Sequence, residues 1–271
     1  MSNHAVMPLK DYVDVCEKIR ERTGSIDVIK SREMANGVNE VYEAGKKAEY
    51  DKFWDDYQNY GKRTNYKHAF AGVGWGGRRF YPKYSMQPDN AQTMFVESSS
   101  YWATWDLVAR LEECGVSIDF SKVIGSGFNN VFMNCMSTTI PFIDTTSAND
   151  TSLGYAFHTP YVTKIYGIKL KDSGTQTFPS TFNNATGLKD IIITGGVIGR
   201  SISFSASPLT IESMVSIITH LKNYAGTQEA GKYALTLKDS CKILMAEQGE
   251  IEELDGKTYD AYIADIGWNL A

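Results

Sequence analysis

"VFMNCMSTTI" at residues 131–140, "AFHTPYVTKI" at 156–165, "TFNNATGLKDI" at 181–191 and "SFSASPLTI" at 203–211 share one pattern. Each has an aromatic anchor, a small residue three places on, and an apolar run closed by a polar or glycine turn. The anchors Phe132, Phe157, Phe182 and Phe204 stand 25, 25 and 22 residues apart. Phe70 in "HAFAGV" and Phe95 in "TMFVES" extend the series toward the N-terminus, 25 residues apart and then 37 from Phe132. A recurrence in the twenties marks an array of repeats. A unit that short cannot enclose a core, so each copy must lay its buried row on the next. One large anchor per unit predicts a ladder of stacked rings. The small residue three places on (Cys135, Pro160, Ala185, Ser207) is expected where the backbone turns inward and a larger side chain would collide. In the fullest copy Leu188, Ile191 and Ile193 follow Phe182, and the last two alternate as in a half-buried strand. The Phe157 copy is one residue shorter, with Val162 and Ile165 in the corresponding places.

The spacing aromatic, small, leucine, isoleucine, isoleucine resembles the BspA-type leucine-rich repeat, found in bacterial surface proteins and in phage structural proteins. The match runs from about Phe70 to Met214. The resemblance implies an α+β chain: a short leucine-rich-repeat β-solenoid flanked by N-terminal helices and a C-terminal α/β cap. The expected organisation is an N-terminal helical attachment module at 1–45, a connecting helix at 46–66, repeats at 67–209 with a helical insertion at 101–115, and a helical and strand cap at 210–271.

Composition bounds the possibilities. The 271 residues carry a net charge of -5, which disfavours nucleic acid, whose binding needs a basic surface. No apolar run approaches the roughly 20 residues of a membrane span. The start "MSNHAVMPLKDY" lacks the apolar core of a signal peptide, so no address for secretion is expected. Cys16, Cys114, Cys135 and Cys241 are scattered without a CxxC pair, which predicts reduced, buried thiols and neither a zinc site nor a disulfide framework.

Along the chain, Leu9, Tyr12, Val13, Cys16 and Ile19 make one helical face ended by Gly24. Ser31 opens a second helix with Met34, Val38, Val41 and Tyr42, and Tyr50, Phe53, Trp54, Tyr57 and Tyr60 line a third that Gly61 closes. The string "VCEKIRERTGSIDVIKSREMANGV" (15–38) resembles an N-terminal module of tail and other virion proteins of phages infecting Gram-positive gut bacteria. "AEYDKFWDDYQNYGKRTNYKHAFAGVGW" (48–75) is similar to the segment that joins that module to leucine-rich repeats, and "ESMVSIITHLKNYAGT" (212–227) to the C-terminal portion of the same proteins. These resemblances imply a phage or prophage virion structural protein, tail or baseplate associated and present in multiple copies. Its N-terminal helices would contact other virion proteins and its repeats would present a surface to a protein or a host-surface glycan. They imply no enzyme.

Gly72, Gly74 and Gly77 in "AGVGWGGRRFYPKY" satisfy GxGxxG, but the aromatic, basic stretch with Pro82 that follows prevents a prompt helix start, and no acidic residue is placed for a ribose. Dinucleotide binding is rejected and no cofactor is expected. The loop is read as a turn capping the first repeat, or as a binding patch of Trp75, Arg78, Arg79, Tyr81 and Tyr84, residue types that dominate binding hot spots. Within the 37-residue interval, "YWATWDLVARLEECG" predicts a helix with Trp102, Trp105, Leu107, Val108 and Leu111 that ends at Gly115, and "VSIDFSKV" predicts a strand. Beyond the repeats, a helix capped by Thr210 is expected to run through "IESMVSIITHLKNYAG". The strand "YALTLK" follows, then a helix from Asp239 to Leu244 and a last one in "TYDAYIADIGWNL" burying Tyr262, Ile266 and Trp268.

Catalytic signatures are sparse. His4, His68, His158 and His220 are isolated, and neither HExxH nor GxSxG occurs. Asp119, Asp144, Asp172 and Asp190 fall on successive turns. They are read as turn residues satisfying local backbone donors, with a glycan-cleaving pair as the alternative.

Overall fold

The computed structural model describes residues 66–67, 69–70, 82, 85–96 and 104–271. The three helices expected before residue 61, and Trp102, lie outside the described residues. What is described is a mixed α/β arrangement with two small parallel sheets.

The first sheet contains β1 (Thr139–Ile140), β2 (Ile143–Asp144), β3 (Lys164–Lys169) and β4 (Asp190–Gly195). β1 and β2 are two halves of one line interrupted at Pro141–Phe142, and both pair with the same edge of β3, while β4 pairs with the other. The register advances by one repeat per strand: Thr139 opposite Lys164, Ile143 opposite Ile168, and Lys164 opposite Asp190. Parallel neighbours need a long return path between them, and here that path carries the anchor. Ile140, Ile143, Ile165, Ile168, Ile191 and Ile193 point inward and are all at most 4% exposed.

On the return side the phenylalanines form a column. Ring centroids are 5.4 Å apart from Phe70 to Phe95, then 5.3, 6.1, 5.3 and 4.5 Å through Phe132, Phe157, Phe182 and Phe204. The Phe95–Phe132 planes are within 5° of parallel despite the 37 residues between them. The intervening chain is therefore looped out of the column. A ladder of backbone bonds runs beside the rings. The amides of the first four anchors donate to the carbonyl just before the next anchor: Phe70 to Met94, Phe95 to Val131, Phe132 to Ala156 and Phe157 to Thr181, at 2.8–3.1 Å.

The turn that aims these amides is set two residues earlier. Thr93, Asn130, Tyr155 and Ser180 each precede an anchor by two positions, and their φ values are 55°, 56°, 53° and 54°. A β-branched or bulky residue seldom adopts this left-handed region, yet the stack imposes it four times on four residue types.

The small-residue position holds for Cys135, Ala185 and Ser207, all at most 1% exposed, whose amides close back on their anchors' carbonyls. In the Phe157 copy the position belongs to Thr159, not Pro160. Proline has no amide to close the turn, so Thr159 closes it one residue early and Pro160 is left half-buried. The buried hydroxyls bond upward: Thr159 Oγ1 donates to Cys135 O, and Ser207 Oγ to Ala185 O at 3.0 Å.

Helices cover both edges of the first sheet. α1 (Leu107–Cys114) begins six residues later than the sequence predicts, because Asp106 caps it through the Ala109 amide and Trp105 pairs with Ser137 as an isolated bridge. Gly115 ends it in the left-handed conformation, as its place in the sequence requires. The Leu107 and Val108 amides donate to Ser137 Oγ and Thr139 Oγ1 at 3.0 and 3.1 Å. On the far edge α2 (Ile211–Thr219), capped by Thr210, occupies the line a further strand would take. Ser213 and Ser216, one turn apart, accept the outward amides of Ile191 and Ile193, both at 2.9 Å. Side-chain hydroxyls thus do what a neighbouring strand would do, and the exposed edge that invites aggregation is closed. α2 stops at His220, six residues short of Gly226, since Leu221 turns out to bridge Ile198. "VSIDFSKV" forms no strand: Ile118 bridges Met86, then the Asp119 carboxylate accepts the Ser121 amide at 3.0 Å and turns the chain into a 3-10 turn at Phe120–Lys122.

The second sheet orders β5 (Ile202–Phe204), β6 (Ala234–Leu237) and β7 (Asn269–Leu270) in parallel. It continues the anchor side, for Phe204 stands opposite Leu237. α3 (Asp239–Gln248) extends past Leu244, burying Cys241 and Met245. α4 (Tyr259–Asp265) buries Tyr259 and Ile263, whereas Tyr262 is only half-buried. Ile266 and Trp268 are buried beyond its end, where Trp268 joins Tyr224 and Tyr233 with centroids 5.3–6.2 Å apart.

Candidate functional site

Across the first sheet Thr139 stands opposite Lys164 and Lys164 opposite Asp190, while Asp144 stands opposite Lys169 and Lys169 opposite Gly195. Between these registers Tyr166 and Gly167 both fall between the inward Ile165 and Ile168, where the pairing of β3 with β4 shifts and strict alternation is broken. Tyr166 is 47% exposed and Phe142 44%. Both rings are thus partly open to solvent.

Each ring is held by a local device. A Cβ on Gly167 would meet Phe142 Cδ2 at 3.2 Å and Thr194 Cγ2 at 2.9 Å, so Phe142 lies against a bare backbone that only glycine provides. Pro141 breaks the line between β1 and β2 and lets Phe142 turn out while Ile143 turns in. Lys164 Nζ sits 4.8 Å from the centroid of the Tyr166 ring, a cation–π contact. On the opposite rim Lys169 Nζ is 3.5 Å from Asp144, whose carboxylate also accepts the Thr146 amide at 3.0 Å.

The residues singled out in the sequence divide into two groups. Trp75, Arg78, Arg79, Tyr81 and Tyr84 lie outside the described residues. Phe95, Phe132, Phe157, Phe182 and Phe204 are gathered in the buried column and shape the face from beneath. Of the aspartates, Asp119 and Asp144 accept turn amides, Asp190 accepts from Thr210 Oγ1 at 3.3 Å, and Asp172 is exposed. The bonds from Ser121 hold the Asp119 carboxyl below its ordinary pKa, with Gln87 adding a further donor. His158 is half-buried beside Tyr155, and His220 closes α2 with Nδ1 2.7 Å from Ser216 O. Cys135 and Cys241 are buried, whereas Cys114 is half-buried and its thiol pKa is raised by burial.

Among the described residues no group of three or more His, Cys, Asp or Glu side chains is placed to hold a metal ion, and no helix is long and apolar enough to cross a membrane. A cavity of about 10 Å³ sits in the core against Phe157, Leu170, Phe182 and Phe204. It is a packing gap, at the lower limit for a single water and almost without polar partners. The aromatic pair on the sheet face was missed in the sequence although Lys164, Tyr166 and Ile165, Ile168 in "KIYGIK" already mark an outward and an inward row. Comparison with protein-family models, with curated proteins and with solved structures finds no match to this chain.

Proposed function

We propose that the described residues form a short leucine-rich-repeat solenoid of the BspA type, and that the chain is a phage or prophage virion structural protein, tail or baseplate associated. It works by binding: the solenoid presents the Phe142–Tyr166 face while the N-terminal segment attaches the protein to other virion components. The observation that carries the repeat reading is the phenylalanine column with its one-repeat strand register. A shared core of this kind is what short repeats need, since none can bury its own anchor. The binding role is supported by two exposed aromatics fixed on a rigid sheet and bordered by charge, the composition of an interaction surface. The virion role is supported by the resemblance of residues 15–38 and 48–75 to the attachment segments of such proteins.

Deletion of residues 1–45 tests the assignment. Particles purified from the producing host should contain the full-length protein by mass spectrometry and should lack the truncated one, while the truncated protein retains ligand binding on its sheet face. Full-length protein absent from particles, or truncated protein incorporated equally well, contradicts it.

A further inference from the structure

We draw no further inference here: the strongest candidate, the exposed apolar patch of Ile243 and Leu244 on the side of α3 away from the buried Cys241 and Met245, carries nothing because nothing in the structure shows what covers it.

Discussion

Removing one ring from the middle of the column tests the packing directly. Phe157 is completely buried, with the rings of Phe132 and Phe182 at 6.1 and 5.3 Å on either side. Its side chain removes about 200 Å² from water, worth about 5 kcal/mol at 25 cal/mol per Å². Alanine keeps part of that and leaves a cavity, so Phe157→Ala should cost about 3–5 kcal/mol. Phe157→Leu retains most of the apolar area and loses chiefly the two ring pairs, at about 0.5–1.5 kcal/mol each. Single domains are stable by only about 5–15 kcal/mol, so the alanine substitution should remove a substantial share of the total stability. Urea denaturation followed by circular dichroism reads the difference. With a slope of about 2 kcal/mol per M, Phe157→Ala should lower the midpoint by about 2 M and Phe157→Leu by about 1 M. Phe142→Ala, at a ring that is 44% exposed, should lower it by at most about half as much as Phe157→Ala. Equal effects of Phe157→Ala and Phe142→Ala would refute the reasoning, because a ring at the centre of a shared core cannot be as dispensable as one on the surface.

Three other perturbations have distinct signatures. Gly196 has φ +76°, and a Cβ there would stand 2.1 Å from Leu170 O of the preceding repeat; Gly196→Ala should destabilise by more than about 2 kcal/mol, against about 1 kcal/mol for Gly226→Ala, where φ is +70° with open space around it, and paired thermal melts compare them. Ser213→Ala removes the acceptor of the buried Ile191 amide and should cost about 1–3 kcal/mol, with hydrogen exchange at Ile191 accelerated more than elsewhere in β4. Asp119 is held below its ordinary pKa in the folded state, so its contribution is complete above the unfolded value near about 4 and is lost as pH falls through the lower folded value; Asp119→Asn should flatten the stability profile below about pH 4 and leave its slope at neutral pH unchanged.

The anchors were legible because one large residue recurs at intervals of 22–25 residues apart from a single gap of 37. The N-cap of α2 at Thr210 and the stop of α1 at Gly115 were legible for the same local reason, since a cap needs one residue type in one place. Where contacts between repeats decide the outcome, the sequence reads differently. Ser213 and Ser216 look like ordinary polar positions on a helix, and only β4 lying beside them makes them edge acceptors. The left-handed positions before the anchors hold Thr, Asn, Tyr and Ser, so no shared residue type announces a conformation that the ladder of amide bonds enforces. Thr159 took the place expected for Pro160 because a turn closes on an amide, which proline lacks. "VSIDFSKV" alternates as a strand does, but the Asp119 carboxylate captures a nearby amide and bends it. The face itself was half legible: Tyr166 alternates with the isoleucines of β3, while Phe142 owes its exposure to Pro141 before it and to a glycine on the neighbouring strand.

Whether consecutive repeats lie strand on strand in this register is best tested by a paired-cysteine experiment. Lys164 and Asp190 are direct Cα partners on neighbouring strands, 26 residues apart in sequence, so Lys164→Cys with Asp190→Cys should form a disulfide under mild oxidation, detected by peptide mass mapping. Asp144 is nearer to Lys164 in sequence but stands opposite Lys169, too far along the strand for the close Cα approach a disulfide requires, so Asp144→Cys with Lys164→Cys should remain reduced. Crosslinking of the second pair and not the first would contradict the stacked arrangement.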